Sequence, residues 1–444
     1  MASNSRAQFS SKFGFIMAAA GSAVGLGNIW GFPTQTASNG GAVFLFVYLA
    51  MACLLAYPML VAELTIGRYG QSDPIGSIKA VCPKSKFAPI FLGLAAMIVA
   101  ALILSFYSIV AGWLVGAFTG TVFDIVGLTD ASTWVNGFGT TRNLVLMVIF
   151  MLATMHVVKS GVHEGIERWS TRLMPVLFGL FAVLIIYIFT LDGAMEGLKV
   201  FLIPDFSHFS ASLVVSAMGQ AFFSLSLGVG TIMVYGSYLS KDINIPKTAA
   251  QVAVVDTAVA IGAGLLILPA MFVAKENGVQ IFSDAGTLLN SDTLVFTVLP
   301  AMFDTMGTAG LVVGLVFFLL MVIAALTSSI SMLEVPVASA IERLGQKRST
   351  AVAWIGGVII IVAAIIVYNF GTLFGLVIEI TTVYGQPLLG LCWALLVGWV
   401  WSRNKLLEEI KQGYPELEES LFWKIWPLYV RIVCPIFMIL VFFA

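Results

Sequence analysis

Asp256 stands alone as a charge inside the run QVAVVDTAVAIGAG. An ionised carboxylate in so apolar a stretch is expensive and marks a binding site, unless hydrogen bonds hold it protonated. Two other stretches, Gly21-Ser22-Ala23-Val24-Gly25-Leu26-Gly27-Asn28 and Ser224-Leu225-Ser226-Leu227-Gly228-Val229-Gly230, crowd glycine and serine into apolar sequence. Glycine costs about 1 kcal/mol per residue in a helix interior. Both clusters therefore predict backbone that leaves the helix and turns its carbonyls and amides inward. The plainer alternative is close helix packing through small residues. Thr327 and Ser328 add hydroxyls, for which the plain alternative is bonding back to the preceding turn. Carboxylate, carbonyl and hydroxyl oxygens are the ligands a hard cation prefers. Bond-making chemistry has no comparable support. His156, His163 and His208 lie at segment edges or in loops, and the four cysteines are scattered without a CxxC spacing.

The elements that must position these groups are membrane helices. Of 444 residues, 59% are hydrophobic and 10% charged, against roughly 25% charged in soluble domains. The expected solvent is lipid, and the net charge of −1 offers no general attraction to nucleic acid. Spans are expected near 13–37, 41–70, 88–121, 142–158, 166–190, 212–239, 247–274, 307–342, 350–369, 373–401 and 426–443, with a short re-entrant or capping helix over 288–303. With the N-terminus inside, eighteen of the 22 basic residues fall on the cytoplasmic side, three fall outside, and Arg431 lies within the last span. That bias orients the chain with a cytoplasmic N-terminus and an external C-terminus in the cell membrane, the inner membrane of a prokaryote. Residues 1–444 read as one transmembrane domain. Its two interrupted spans, the first and the sixth, lie five helices apart with opposite orientation. This predicts two inverted five-helix repeats, about 13–190 and 212–401, with a binding site between them and an additional helix over 426–443.

Specific motifs sharpen this reading. GSAVGLGNIWGFP from Gly21 to Pro33, with Asn39-Gly40-Gly41 after it, resembles the first helix of the neurotransmitter:sodium symporter family. Gln220 to Tyr238, QAFFSLSLGVGTIMVYGSY, is similar to its sixth helix, and LTSS from Leu326 to Ser329 to its eighth. Glu63 and Gly67-Arg68-Tyr69-Gly70 match the end of its second, and Arg431 with Pro435 resembles its eleventh. The matches run in order over nearly the whole chain. They resemble the short bacterial, leucine-transporter-like members that end after helix 11.

The resemblance implies a sodium-coupled symporter importing hydrophobic, including aromatic, L-amino acids by alternating access. Its first sodium site would use the Ala23 carbonyl, Asn28, Ser224, Asp256 and the substrate carboxylate. Its second would use carbonyls of Gly21, Val24 and Ala324 with the hydroxyls of Thr327 and Ser328. Amine-transporting relatives carry an Asp at the position of Gly25, so here the substrate must bring its own carboxylate. That group would meet the amides of Leu26 and Gly27 and the hydroxyl of Tyr107. The remaining lining implied is Ser22, Ala23, Val24, Ile103, Phe223, Ser224, Ser226, Val229, Ser328 and Met332. In chloride-dependent relatives the position of Asp256 is a neutral Asn. Here Tyr48, Gln220 and Ser224 match the anion site, but the last position is Ala260, so Asp256 stands in for the anion's charge and transport is expected to be independent of chloride. Phe223 and Tyr107 would close an outer lid, but the family's outer-gate Arg is replaced by Gly31 and its acidic partner is displaced, with Ile378 before Glu379. Arg6, Tyr238 and Glu342 match the inner gate. Gly165 and Pro175 resemble a segment of helix 5 that unwinds to hydrate the second sodium site, although both also suit ordinary helix ends.

Three other readings compete. Proton coupling through Asp256 keeps the fold and changes the driving ion. An ion channel lacks a ring of carboxylates or a filter motif, and a membrane enzyme lacks any nucleophile–base spacing.

Overall fold

The computed structural model describes residues 7–282, 294–440 and 442, and these are helical nearly throughout. Among the described residues nine helices are long and apolar enough to cross a membrane, and a bent pair makes a tenth. In chain order the spans are α1 (Lys12–Ala23 and Gly27–Ser38), α2 (Ala42–Gly70), α3 (Ala88–Ile125), α4 (Thr140–Lys159) and α5 (Val162–Ile188). Then come α6 (Ala211–Ser224 and Thr231–Ser237), α7 (Ile245–Glu276), α8 (Thr308–Leu344), α9 (Arg348–Tyr368), α10 (Phe370–Val400) and α11 (Leu421–Leu440). Neither arm of α6 is long enough to span alone, so the eleventh crossing exists only as the interrupted pair. Large apolar side chains face outward: Ile186 is 68% exposed, Val254 66% and Ile361 61%. Such a surface is stable only against lipid.

The interruptions are local consequences of the glycine and serine clusters. The first arm of α1 ends at Val24, whose backbone is extended at φ −70° and ψ 102°, and the two arms meet at 51°. In α6, Ser226 at φ 52° and Gly228 at φ 82° turn left-handed, which stops the helix until Thr231. Gly228 has a second constraint, since a Cβ there would lie 2.3 Å from the carbonyl oxygen of Gln386 in α10.

Around these breaks, α8 packs along α3, α4 and α9 back that pair, and α2 holds the second arm of α6. Short helices cap the bundle at Pro74–Val81, Thr129–Asn136, Ala194–Leu202 and Arg403–Lys411, none of them expected from the sequence. The capping helix expected over 288–303 is described only from residue 294, where Leu294–Val298 and Leu299–Thr305 are helical. Helix α5 is continuous through the expected unwinding segment. It starts as a π-type turn at Val162–Glu167, which contains Gly165, and Pro175 lies inside the α-helical part.

Candidate functional site

Both breaks abut mid-membrane segments of α3, α7 and α8, and their polar groups meet there. Asp256 of α7 is fully buried and no Lys or Arg pairs with it among the described residues. Its Oδ1 accepts from Asn28 Nδ2 at 2.7 Å, and its backbone carbonyl accepts from the same amide at 3.1 Å. Ser224 Oγ donates to Oδ2 at 2.9 Å. Tyr48 OH lies 3.5 Å from Ser224 Oγ, and Gln220 Nε2 donates to the Gly27 carbonyl at 2.7 Å. Ala260, one helical turn from Asp256, is buried and offers no polar group. A carboxylate withdrawn from water with no cationic side chain beside it among the described residues, next to the Ser224 hydroxyl and the Asn28 side chain, fits a small hard cation.

A second oxygen cluster forms where α8 crosses the first arm of α1. Ser328 Oγ lies 3.3 Å from the Gly21 carbonyl, 3.0 Å from that of Ser22 and 3.2 Å from that of Val24. Thr327 Oγ1 donates to the Ala324 carbonyl at 3.0 Å and lies 3.2 Å from that of Ile323. Both are back-bonds to its own helix, the pattern that intrinsic helix chemistry favours, and the bond to Ala324 is to one of the carbonyls expected in the cluster. These oxygens are hard like those of the first cluster, but uncharged.

Between the clusters lies a cavity of ≈ 20 Å³, lined by Ala23, Gly25, Leu26, Gly27, Ile103, Tyr107, Phe223, Ser226, Val229, Ser328, Met332 and Gln386. Leu26 N donates to Tyr107 OH at 3.2 Å. Gly25 is needed for space as well as for lack of charge, because a Cβ there would lie 2.3 Å from Ser328 Oγ and 2.8 Å from Tyr107 OH. Ser22, Val24 and Ser224 are buried beside this cavity but do not line it. Ser22 instead contributes its carbonyl to Ser226 Oγ at 2.9 Å, and its hydroxyl donates to Ser331.

Two residues at the breaks escaped the sequence reading. Gln386 lines the cavity and donates to the Leu227 carbonyl at 3.2 Å. Glu63, seen only as part of a motif, accepts from the Gly228 amide at 2.6 Å, and so it holds the unwound part of α6. The signal for both was a polar residue inside an apolar helix. Their partners lie more than 150 residues away and gave no sequence cue.

The two ends of the bundle differ. On one side a cavity of ≈ 610 Å³ shares Leu26, Tyr107 and Phe223 with the central one, so these three side chains form its floor. Gly31 and Ile378 line it, and among the described residues no charged side chain does. On the other side polar contacts tie the helices together. Asp73 takes a two-pronged contact from Arg343 at 2.6 and 2.8 Å. Glu334 is buried between Arg348 and Tyr238, whose hydroxyl donates to it at 2.6 Å. Glu342 accepts from the Asp73 amide at 2.8 Å and from Ser72. Arg6, the remaining member of the expected inner gate, lies outside the described residues.

The family model for the sodium:neurotransmitter symporter family matches residues 6–136 and 135–444. A sodium-dependent transporter of Bacillus subtilis, YhdH, is 36% identical over 98% of this chain and 96% of its own. One from Haemophilus influenzae is 31% identical over 99% and 98%. The sodium- and chloride-dependent GABA transporter ine of Drosophila melanogaster is 24% identical over 91% of this chain and 47% of its own. Among solved structures, MhsT in complex with L-phenylalanine superposes with a TM-score of 0.85 at 38% identity, covering 99% of both chains. With its interrupted helices, its buried oxygen clusters and these matches over the full length, this multi-pass membrane protein belongs to the sodium:neurotransmitter symporter family.

Proposed function

We propose that the protein couples sodium flow down its gradient to the import of hydrophobic L-amino acids, with two sodium ions and no need for chloride. The observation that carries this reading is Asp256, buried without a basic partner and hydrogen-bonded to Asn28 and Ser224 beside the central cavity. A cation held there gains a second anionic ligand when a substrate carboxylate enters, so each ligand stabilises the other. Leu26 and Gly27 open the second arm of α1, where amides without intrahelical partners and the positive end of the helix dipole favour that carboxylate. The Leu26 amide and the Tyr107 hydroxyl are already 3.2 Å apart on the site. Gly25 leaves no anion for a lone ammonium, so amines lacking a carboxylate are poor substrates. The apolar remainder of the lining (Ile103, Phe223, Val229 and Met332) suits an aliphatic or aromatic side chain. The bound L-phenylalanine in MhsT is consistent with this class.

At ≈ 20 Å³ the cavity is too small for such a side chain, so uptake requires Phe223 and its neighbours to move aside and then close. Thr327, Ser328 and the carbonyls of Gly21, Val24 and Ala324 would hold the second ion, binding α8 to α1. Release at the opposite end requires the Asp73–Arg343 and Glu334–Arg348 contacts to part, with Arg6, Tyr238 and Glu342 as the gate and the Gly165–Pro175 part of α5 loosening to admit water. The charge bias supports a cytoplasmic position for that end, with the C-terminus outside.

The test is uptake into proteoliposomes of labelled leucine, phenylalanine, tryptophan and tryptamine, under sodium, choline and proton gradients. Sodium-driven uptake of the three amino acids, unaffected by gluconate in place of chloride, is expected. Equal uptake in choline under a proton gradient would assign Asp256 to proton coupling instead.

A further inference from the structure

Arg431 is a guanidinium on the lipid-facing side of α11, flanked by Leu428 at 61% and Ile432 at 44% exposure. Charged side chains within spans ordinarily turn to the bundle interior or to a partner. Among the described residues Arg431 has no carboxylate within ion-pair distance. Instead it lies 4.2 Å from the ring centre of Trp399, itself 59% exposed, near the end of α10. The Trp399 indole N–H donates to the Arg431 carbonyl at 2.9 Å, which fixes the ring against the helix. Gly398 allows this approach, since a Cβ there would lie 2.6 Å from the Arg431 Cα. The pair is therefore built from both helices.

Its depth indicates what faces it. Lys424 lies two turns earlier on the same face of α11, about 10 Å along the axis. Helical side chains lean toward the helix N-terminus, so the Arg431 head is carried toward the Lys424 end of the span. Arg403, at the same end, lies over Trp423 at 5.7 Å. Lys424 and Arg403 thus mark the nearer headgroup level at this end of the α10–α11 seam, and the Arg431 side chain leans toward it, with exposed apolar neighbours such as Leu428 and Ile432 for acyl chains. The Arg431 guanidinium lies against the Trp399 ring, and no side-chain hydrogen bond to a described residue takes up its N–H groups, which suit a phosphate in two-pronged fashion.

We propose that Arg431, seated on Trp399, binds the phosphate of an anionic phospholipid headgroup in the leaflet shared by Lys424 and Arg403. The lipid completes the α10–α11 seam and supplies a counter-charge to Arg431, which has no carboxylate partner among the described residues.

The experiment is native mass spectrometry of the full-length protein in detergent, titrated with phosphatidylglycerol, with phosphatidylcholine or with inorganic phosphate. Wild-type protein should retain phosphatidylglycerol in preference to phosphatidylcholine, and inorganic phosphate should not displace it. Arg431→Gln should retain roughly fivefold less, the scale of one basic residue at a lipid surface. Amino-acid binding in sodium reports whether that variant is folded. If it is not, Arg431→Lys decides the matter, since it keeps the charge but loses the stacked fork and should also retain less. Equal phosphatidylglycerol retention by wild type and the folded variant would overturn the proposal. So would displacement by inorganic phosphate, which would mean a soluble-anion site.

Discussion

At the scale of single residues, Asp256 carries the most consequence. Asn28 and Ser224 bond to it, Tyr48 lies against Ser224, and the neighbouring Ala260 offers no polar group. If its charge replaces that of an anion, Asp256→Asn should weaken transport, and Asp256→Asn with Ala260→Ser should make transport depend on chloride. Equal uptake by the double variant in chloride and in gluconate would remove that argument. Thr327→Ala with Ser328→Ala removes two hydroxyls from the cluster between α8 and α1. Sodium affinity should fall by about 1–3 kcal/mol, the scale of unmade polar contacts in a site without water. A sodium titration of amino-acid binding checks this, and an unchanged midpoint would move the second ion elsewhere. Val229 is buried on the wall of the central cavity. Val229→Phe should penalise tryptophan more than leucine, by about 1–3 kcal/mol, or roughly 5- to 150-fold in affinity. Competition against a labelled substrate measures this, and equal losses would show that Val229 does not face the distal side chain.

At the scale of elements, the two broken helices hold the clusters in place, and one residue fixes the second break in three ways. Gly228 takes a left-handed φ of 82°, its amide is held by Glu63, and the Gln386 carbonyl leaves no room for a Cβ. Gly228→Ala should therefore lower thermal stability in detergent by at least about 1–3 kcal/mol, through backbone strain and overpacking together. A melting temperature equal to wild type would mean that the break relaxes freely. The breaks themselves were legible, because glycine and serine clustered within apolar runs contradict a continuous helix. So were the long spans, whose charge-free lengths leave little choice. The short helices at Pro74–Val81, Thr129–Asn136, Ala194–Leu202 and Arg403–Lys411 were not, since 8 or 9 residues leave a weak periodic signal. The roles of Glu63 and Gln386 were also hidden. Each has meaning only through a backbone group brought beside it by the fold. Gly25 was read as the absence of charge, while its steric role needed the positions of Ser328 and Tyr107.

At the scale of the whole molecule, the asymmetry of the two ends gives the site a direction. An uncharged aromatic and aliphatic cavity opens toward the central site from one side. Contacts centred on Asp73, Glu334 and Glu342 bind the helices on the other. Ligands that join α1, α6, α7 and α8 at the centre bias which end is held shut, so ion and substrate must act on a common equilibrium. Linkage then requires that sodium and amino acid raise each other's affinity by the same factor. The most direct measurement is equilibrium binding of a labelled hydrophobic L-amino acid to the purified protein across a sodium titration, with the reciprocal titration of sodium at fixed amino acid. The account predicts negligible binding in choline, a rise with sodium, and equal coupling factors in both directions. Equal amino-acid affinity in sodium and in choline would contradict it.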